Sequence, residues 1–79
     1  RGDVYIYYDI HPDELRVVDV VVEENLRRKG FGTVLVRLVE DRARLYGVGS
    51  ISGASTREGK AFWRHLGYTV DNAHMEKRL

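Results

Sequence analysis

Cysteine is absent from these 79 residues, and proline, methionine and tryptophan each occur once. Without a thiol there is no disulfide framework, no cysteine nucleophile and no thiolate ligand for a metal, so a chain this short must be held by packing or by association. No apolar run approaches the ~20 residues that a membrane-spanning helix needs, and the amino-terminal stretch lacks the apolar centre of a secretory signal. Both absences make the cytoplasm the default setting and argue against a membrane partner. The chain opens on Arg1 in place of methionine, as expected of a trimmed chain. Neither sign of charge dominates: 13 basic and 12 acidic residues give a formal net charge of +1, which sets nucleic acid last among candidate partners. His11, His65 and His74 stand at no metal-ligand spacing, so no metal is expected. The 43% of hydrophobic residues are enough for one compact domain over residues 1–79, although a domain of that size buries only about 60–65% of its unfolded surface.

Val4 to Ile10 alternates, with Val4, Ile6, Tyr8 and Ile10 on one side and Tyr5, Tyr7 and Asp9 on the other, which is the period of a strand. His11-Pro12-Asp13-Glu14 supplies turn chemistry, so Leu15 to Val22 is expected to return antiparallel. That second strand is mostly valine, as in a strand covered on both faces, and Asp19 interrupts it. From Thr33 to Tyr46 the period becomes helical. Leu35, Leu38, Val39 and Leu45 form an apolar stripe, and Arg37, Glu40, Asp41 and Arg44 share the opposite face as solvated charges, with Arg37–Asp41 and Glu40–Arg44 spaced to pair. Gly47 is placed to end that helix. Gly49 to Ala54 reads as a short strand, and Ser55-x-x-Glu58 as a capping box for a second helix that reaches Leu66 and stops at Gly67. Tyr68 to Val70 and Met75 to Leu79 form a last strand pair around Asp71-Asn72. The order β-β-α-β-α-β-β predicts an α/β fold, a mixed and largely antiparallel sheet carrying two helices. The exposed edge of the first strand makes a homodimer one way to cover apolar surface.

The densest chemistry lies between the second strand and the first helix, in Arg27-Arg28-Lys29-Gly30-Phe31-Gly32-Thr33. Glycines there permit positive φ and close backbone approach, and the first amides of a helix have no internal partner. With three cations beside the positive end of the helix dipole, such a turn suits a polyanion. Walker A and the dinucleotide fingerprint both require other spacings. The pattern Arg-x-x-Gly-x-Gly resembles the acyl-coenzyme A loop of the GNAT superfamily of N-acetyltransferases. Val18-Asp19-Val20-Val21-Val22 resembles the family's strand ahead of that loop, Phe62-Trp63-Arg64-His65-Leu66-Gly67-Tyr68 its last helix and exit turn, and His74-Met75-Glu76-Lys77-Arg78-Leu79 its closing strand. A full GNAT domain has one more strand and two helices ahead of the first strand here. The resemblance therefore implies a core with the cofactor half intact and much of the acceptor half missing.

What the resemblance implies chemically is N-acetyl transfer from acetyl-CoA to an amine by direct transfer. Amides of Arg28 to Thr33, with Arg27, Arg28, Lys29, Gly30, Phe31, Gly32 and Thr33 all in the loop, would hold the pyrophosphate. Backbone groups near Val20 and Val22 would hold the pantetheine arm and supply the oxyanion donor. Asp19 is either the carboxylate that binds or deprotonates the acceptor amine or a structural strand aspartate. Thr56 stands where an asparagine often contacts the arm. Trp63 stands where the family usually has a tyrosine that protonates the leaving thiolate, which an indole cannot do, so Trp63 is expected to pack against the arm or fill the core. Tyr68, Tyr46, His65 or solvent could supply the proton instead. With the acceptor-shaping elements missing, a protein or peptide amine is favoured over a small molecule. The alternative is a catalytically silent acyl-CoA-binding or protein-interaction module.

Overall fold

The computed structural model describes residues 3–79. Strands β1 (Val4–Ile10) and β2 (Leu15–Val22) form the first hairpin; a short 3-10 turn (Glu24–Leu26) leads to helix α1 (Phe31–Tyr46), followed by β3 (Ser50–Ala54), α2 (Lys60–His65), β4 (Thr69–Asp71) and β5 (His74–Arg78). The five strands make one sheet in the order β1-β2-β3-β5-β4, antiparallel except between β2 and β3. A parallel pair requires a crossover, and α1 supplies it. The predicted order and sheet type are both present, and Gly47 and Gly67 end their helices at φ +75° and +94°.

The β2–β3 seam is short. It pairs only Leu15, Arg16 and Val17 with Ile51, Ser52 and Gly53. Gly53 permits it, because a Cβ there would lie 2.7 Å from the carbonyl oxygen of Val17 and 2.9 Å from the Met75 methyl carbon. On the other side of β2 the register with β1 slips: Tyr8 faces Val17 and Tyr7 faces Asp19, which leaves Val18 as a bulge. Bulges bend the strand that carries them and strengthen its twist, and here the parallel pairing ends as the bulge begins.

Three expectations need correction. The valines of β2 are not covered on both faces: Leu15 and Val17 are buried under the helices, whereas Val18 is 59% exposed on an open side. The buried stripe of α1 is Val36, Val39, Glu40 and Ala43, and Leu38 and Leu45 face outward. The sequence offers apolar residues all around this helix, so periodicity alone rotated the expected stripe: Val39 is buried and Leu35 half-buried as expected, but Leu38 and Leu45 are not. Finally, the expected capping box is not formed: α2 starts after Gly59 with no side-chain cap, Thr56 Oγ1 accepts from the Gly59 amide at 3.0 Å in the turn ahead of it, and the Ser55 hydroxyl donates to the Thr56 carbonyl.

Glu40 is the largest departure, being a carboxylate 1% exposed within the core. It accepts from Arg37 at 2.8 Å, from the Tyr68 hydroxyl at 2.8 Å and from Lys77 at 3.2 Å, and both cations also donate to the Leu66 carbonyl. The expected i,i+4 pairs are replaced by Arg37–Glu40 and Arg44–Asp41, three residues apart. Burial pushes the Glu40 carboxyl upward, but the three donors outweigh it and hold it below its ordinary value. The network ties α1 to the end of α2 and to the β4–β5 hairpin around Leu15, Ile51 and Met75, all fully buried.

Candidate cofactor cleft

Beyond Val17 and Gly53 the two parallel strands have no rungs between them, and a cleft of about 1030 Å³ opens at their carboxyl ends. Open α/β sheets bind ligands outside the carboxyl ends of parallel strands, where loops leave room. The walls are the free edge of β2 on one side and Ala54 to Thr56 on the other; the loop before α1 and the side chains of Phe62 and Trp63 complete it.

The loop reverses the chain sharply enough that both Arg28 (φ +64°) and Gly30 (φ +85°) adopt the left-handed region. At Gly30 this costs little; at Arg28 it is a strained backbone held by its surroundings. Arg27 anchors the turn by donating from Nε to the Val22 carbonyl at 3.0 Å. The first bond of α1 runs from the Val34 amide to the Gly30 carbonyl. The amides of Gly30, Phe31, Gly32 and Thr33 find no acceptor among the described residues, and they sit at the positive end of a 16-residue helix. Gly32 also lets the helix approach its neighbours, since a Cβ there would lie 3.2 Å from the Phe62 ring.

Asp19, Val20, Val22, Arg27, Arg28, Gly30, Phe31, Gly32, Thr33, Thr56 and Trp63 all line this cleft. Lys29 does not, so the third cation of the loop is left outside. Val22 brings its side chain, but its carbonyl is taken by Arg27. Val20 and Val22 share the helix-covered face with Ile6 and Val4, whereas Asp19 pairs with Tyr7 on the open face. The gap between strands is therefore reached from both sides of the sheet. Asp19 is exposed, and no described cation pairs with it, so water can hydrate its carboxylate and no burial cost arises.

Trp63 is 5% exposed and stacks edge-on against Phe62 and Tyr68, with centroids 5.1 and 4.9 Å apart. It fills the core and turns one edge to the cleft. The other candidate proton donors are elsewhere. Tyr68 is locked to Glu40, and burial followed by that carboxylate raises its pKa well above the ordinary phenol value. Tyr46 lies at the far end of α1, and His65 is exposed; neither lines the cleft. Sequence reasoning missed Leu26, Phe62, Gly59 and Glu58 as lining residues. Phe62 was within reach, since it opens the very motif that was singled out.

The chain is similar to known acetyltransferases in sequence and in fold. Residues 2–68 match the acetyltransferase (GNAT) family. Among solved structures, Ard1 from Thermoplasma volcanium is 17% identical with a TM-score of 0.85, covering 99% of this chain and 62% of its own. PaiA N-acetyltransferase from Thermoplasma acidophilum in complex with coenzyme A is 19% identical with a TM-score of 0.86, covering 99% and 53%. The anti-CRISPR protein AcrVA5 is 27% identical with a TM-score of 0.73, covering 96% of this chain and 88% of its own. The chain thus spans a little over half the length of the first two. No curated protein matches it significantly. Among the described residues no helix is long and apolar enough to cross a membrane.

Proposed function

Because the chain belongs to the GNAT family of acetyltransferases, we propose that residues 1–79 act as one acyl-CoA-binding domain that passes an acetyl group from acetyl-CoA directly to an amine, on a protein or peptide in preference to a small molecule. The observation that carries this reading is the set of four unpaired amides, Gly30 to Thr33, opening onto a cleft between two diverging strands. Preformed donors at a helix N-terminus fit a diphosphate, and Arg27 and Arg28 add charge on the same wall. The free edge of β2 from Val18 onward can hydrogen-bond an extended amide-bearing arm as a missing strand would. Bound acetyl-CoA supplies a thioester whose carbonyl carbon takes the amine's lone pair, the carbon–sulfur bond breaking to leave the amide and the thiol.

The chain's own residues have three tasks. A backbone amide near Val20 stabilises charge developing on the carbonyl oxygen. Asp19, on the open face, orients the amine and takes its proton, directly or through water. Thr56 and Trp63 position the arm, the first by its hydroxyl and the second by its ring edge. None of the aromatic or histidine side chains considered as proton donors reaches the cleft, so the departing sulfur takes its proton from solvent. The same observation supports the second reading, a silent acyl-CoA-binding module. Calorimetry with acetyl-CoA, paired with thiol release over a pool of lysine peptides, separates the two: binding with turnover supports the enzyme, and binding without turnover supports the silent module.

A further inference from the structure

The open side of the β1–β2 hairpin is touched by the cofactor reading only at Asp19. The register places Tyr7 opposite Asp19 and Tyr5 opposite Val21. The Glu23 amide donates to the Asp3 carbonyl at 2.9 Å, continuing the ladder by one more pair. One side of the hairpin therefore presents Tyr5 and Tyr7 along one strand and Asp19, Val21 and Glu23 along the other. Tyr7 is 61% exposed and its ring centroid lies 4.9 Å from that of Tyr5, tilted by 50°. No described basic group pairs with Asp19 or Glu23. Arg16, in register with Asp9 at the far end of the hairpin, is engaged by Glu14 at 3.1 Å. Slight desolvation, followed by the fields of Asp19, Tyr7, Asp3 and Glu23, raises the Tyr5 phenol above its ordinary value, as expected beside these same carboxylates.

Resting on the acetyl-transfer reading, we propose that this acidic, aromatic face receives a basic peptide segment, whose acceptor lysine reaches the gap at Asp19 while a second cation two to four residues away seats over Tyr5 and Tyr7 beside Glu23. Two mutually tilted rings and two carboxylates that no described cation pairs are complementary to cations, through ring quadrupoles and charge together. From position 19 to position 23 a strand covers roughly 13 Å at about 3.3 Å per residue, which sets the spacing of the two cations. Among the described residues β1 is the edge of the sheet. An extended chain can lie along this face, whereas nothing encloses a small amine. The molecule thus separates its charges across the sheet: cations for the phosphates on the helix side, carboxylates for the acceptor on the other.

The test is fluorescence anisotropy with a labelled peptide carrying lysine and an arginine four residues away, against the same peptide with glutamate in place of arginine, and with spermidine as competitor. The arginine peptide should bind at least about tenfold more tightly, and weaken as salt shortens the screening length. Glu23→Gln and Tyr7→Ala should each weaken it about three- to fivefold, and Tyr7→Phe should retain binding, because the ring face and not the hydroxyl is used. Acetyl-CoA affinity, measured separately by calorimetry, should be the same in all of these. Equal binding of the two peptides, or displacement by an equal concentration of spermidine, overturns the proposal. Acetyl-CoA binding with indifference to peptide charge removes this inference alone, whereas a wild-type protein that binds no acetyl-CoA removes the transfer reading and this inference with it.

Discussion

Two ends of one sheet have opposite characters. On the closed side of the seam, β3 is paired on both edges, Leu15, Ile51 and Met75 have no exposed surface, and the buried carboxylate of Glu40 has three donors. On the open side, among the described residues, β2 keeps only β1 as a neighbour, four successive amides lack acceptors, and no cation pairs with Asp19. The boundary is a single inserted residue, Val18, with Gly53 facing the last rung before it. The closed end satisfies every buried polar side-chain atom among the described residues; the open end leaves groups unsatisfied where a ligand can satisfy them.

Substitutions at the boundary and on either side should separate these characters. The largest effect is expected at Gly53→Val, whose side chain must enter a space where even a Cβ meets backbone oxygen at 2.7 Å. It should cost about 3 kcal/mol or more in chemical denaturation; a change below about 1 kcal/mol would mean the seam does not hold the closed end. Gly32→Trp acts first on the open end: acetyl-CoA affinity should fall at least about a hundredfold, about 2.7 kcal/mol, and because a Cβ there already lies 3.2 Å from the Phe62 ring the melting temperature should fall too, by less than for Gly53→Val. Unchanged affinity would remove the loop from the binding site.

Glu40→Gln is the matching change on the closed end. It leaves Arg37 and Lys77 facing a neutral amide and should cost about 2 kcal/mol, discounted because both cations are partly exposed. Acetyl-CoA binding should not change, and a parallel loss of both would show that the two ends are coupled. Because folding holds the Glu40 carboxyl below its unfolded value of about 4.3, the network's contribution is complete above that pH and is lost as pH falls through the folded pKa. Acid unfolding of Glu40→Gln should therefore lose that part of its pH dependence. The smallest effect belongs to Tyr68→Phe, expected to cost about 1 kcal/mol through the lost bond to Glu40. Its transfer rate should match the wild type, whereas a rate loss of tenfold or more would make Tyr68 the proton donor after all.

Turns and element order were legible because their signals are local. The left-handed stops at Gly47 and Gly67 follow from residue type, and the basic glycine turn announces itself within seven residues. Glu40 was misread because its partners Tyr68 and Lys77 lie 28 and 37 residues away, and nothing in the helix itself distinguishes a charge that will be enclosed from one that will be hydrated. The bulge was hidden for a different reason. In Val17-Val18-Asp19-Val20-Val21-Val22, valine occurs at both parities, so a one-residue slip leaves almost no trace in the pattern. Only Asp19 registers it, as the polar side chain that the slip places on the open face beside Tyr7. Lys29 was grouped with its basic neighbours by adjacency, and the left-handed turn at Arg28 separates them.

The three-rung seam also acts as a depth stop. Its last rung pairs Val17 with Gly53, and Val17 and Ala54 line the inner end of the cleft that opens beyond it. Each rung added or lost would shift that inner end by one residue's rise, about 3.3 Å, or between two and three methylene lengths. A bulge moved by one position would therefore change the depth of the cleft without altering a single side chain in the loop.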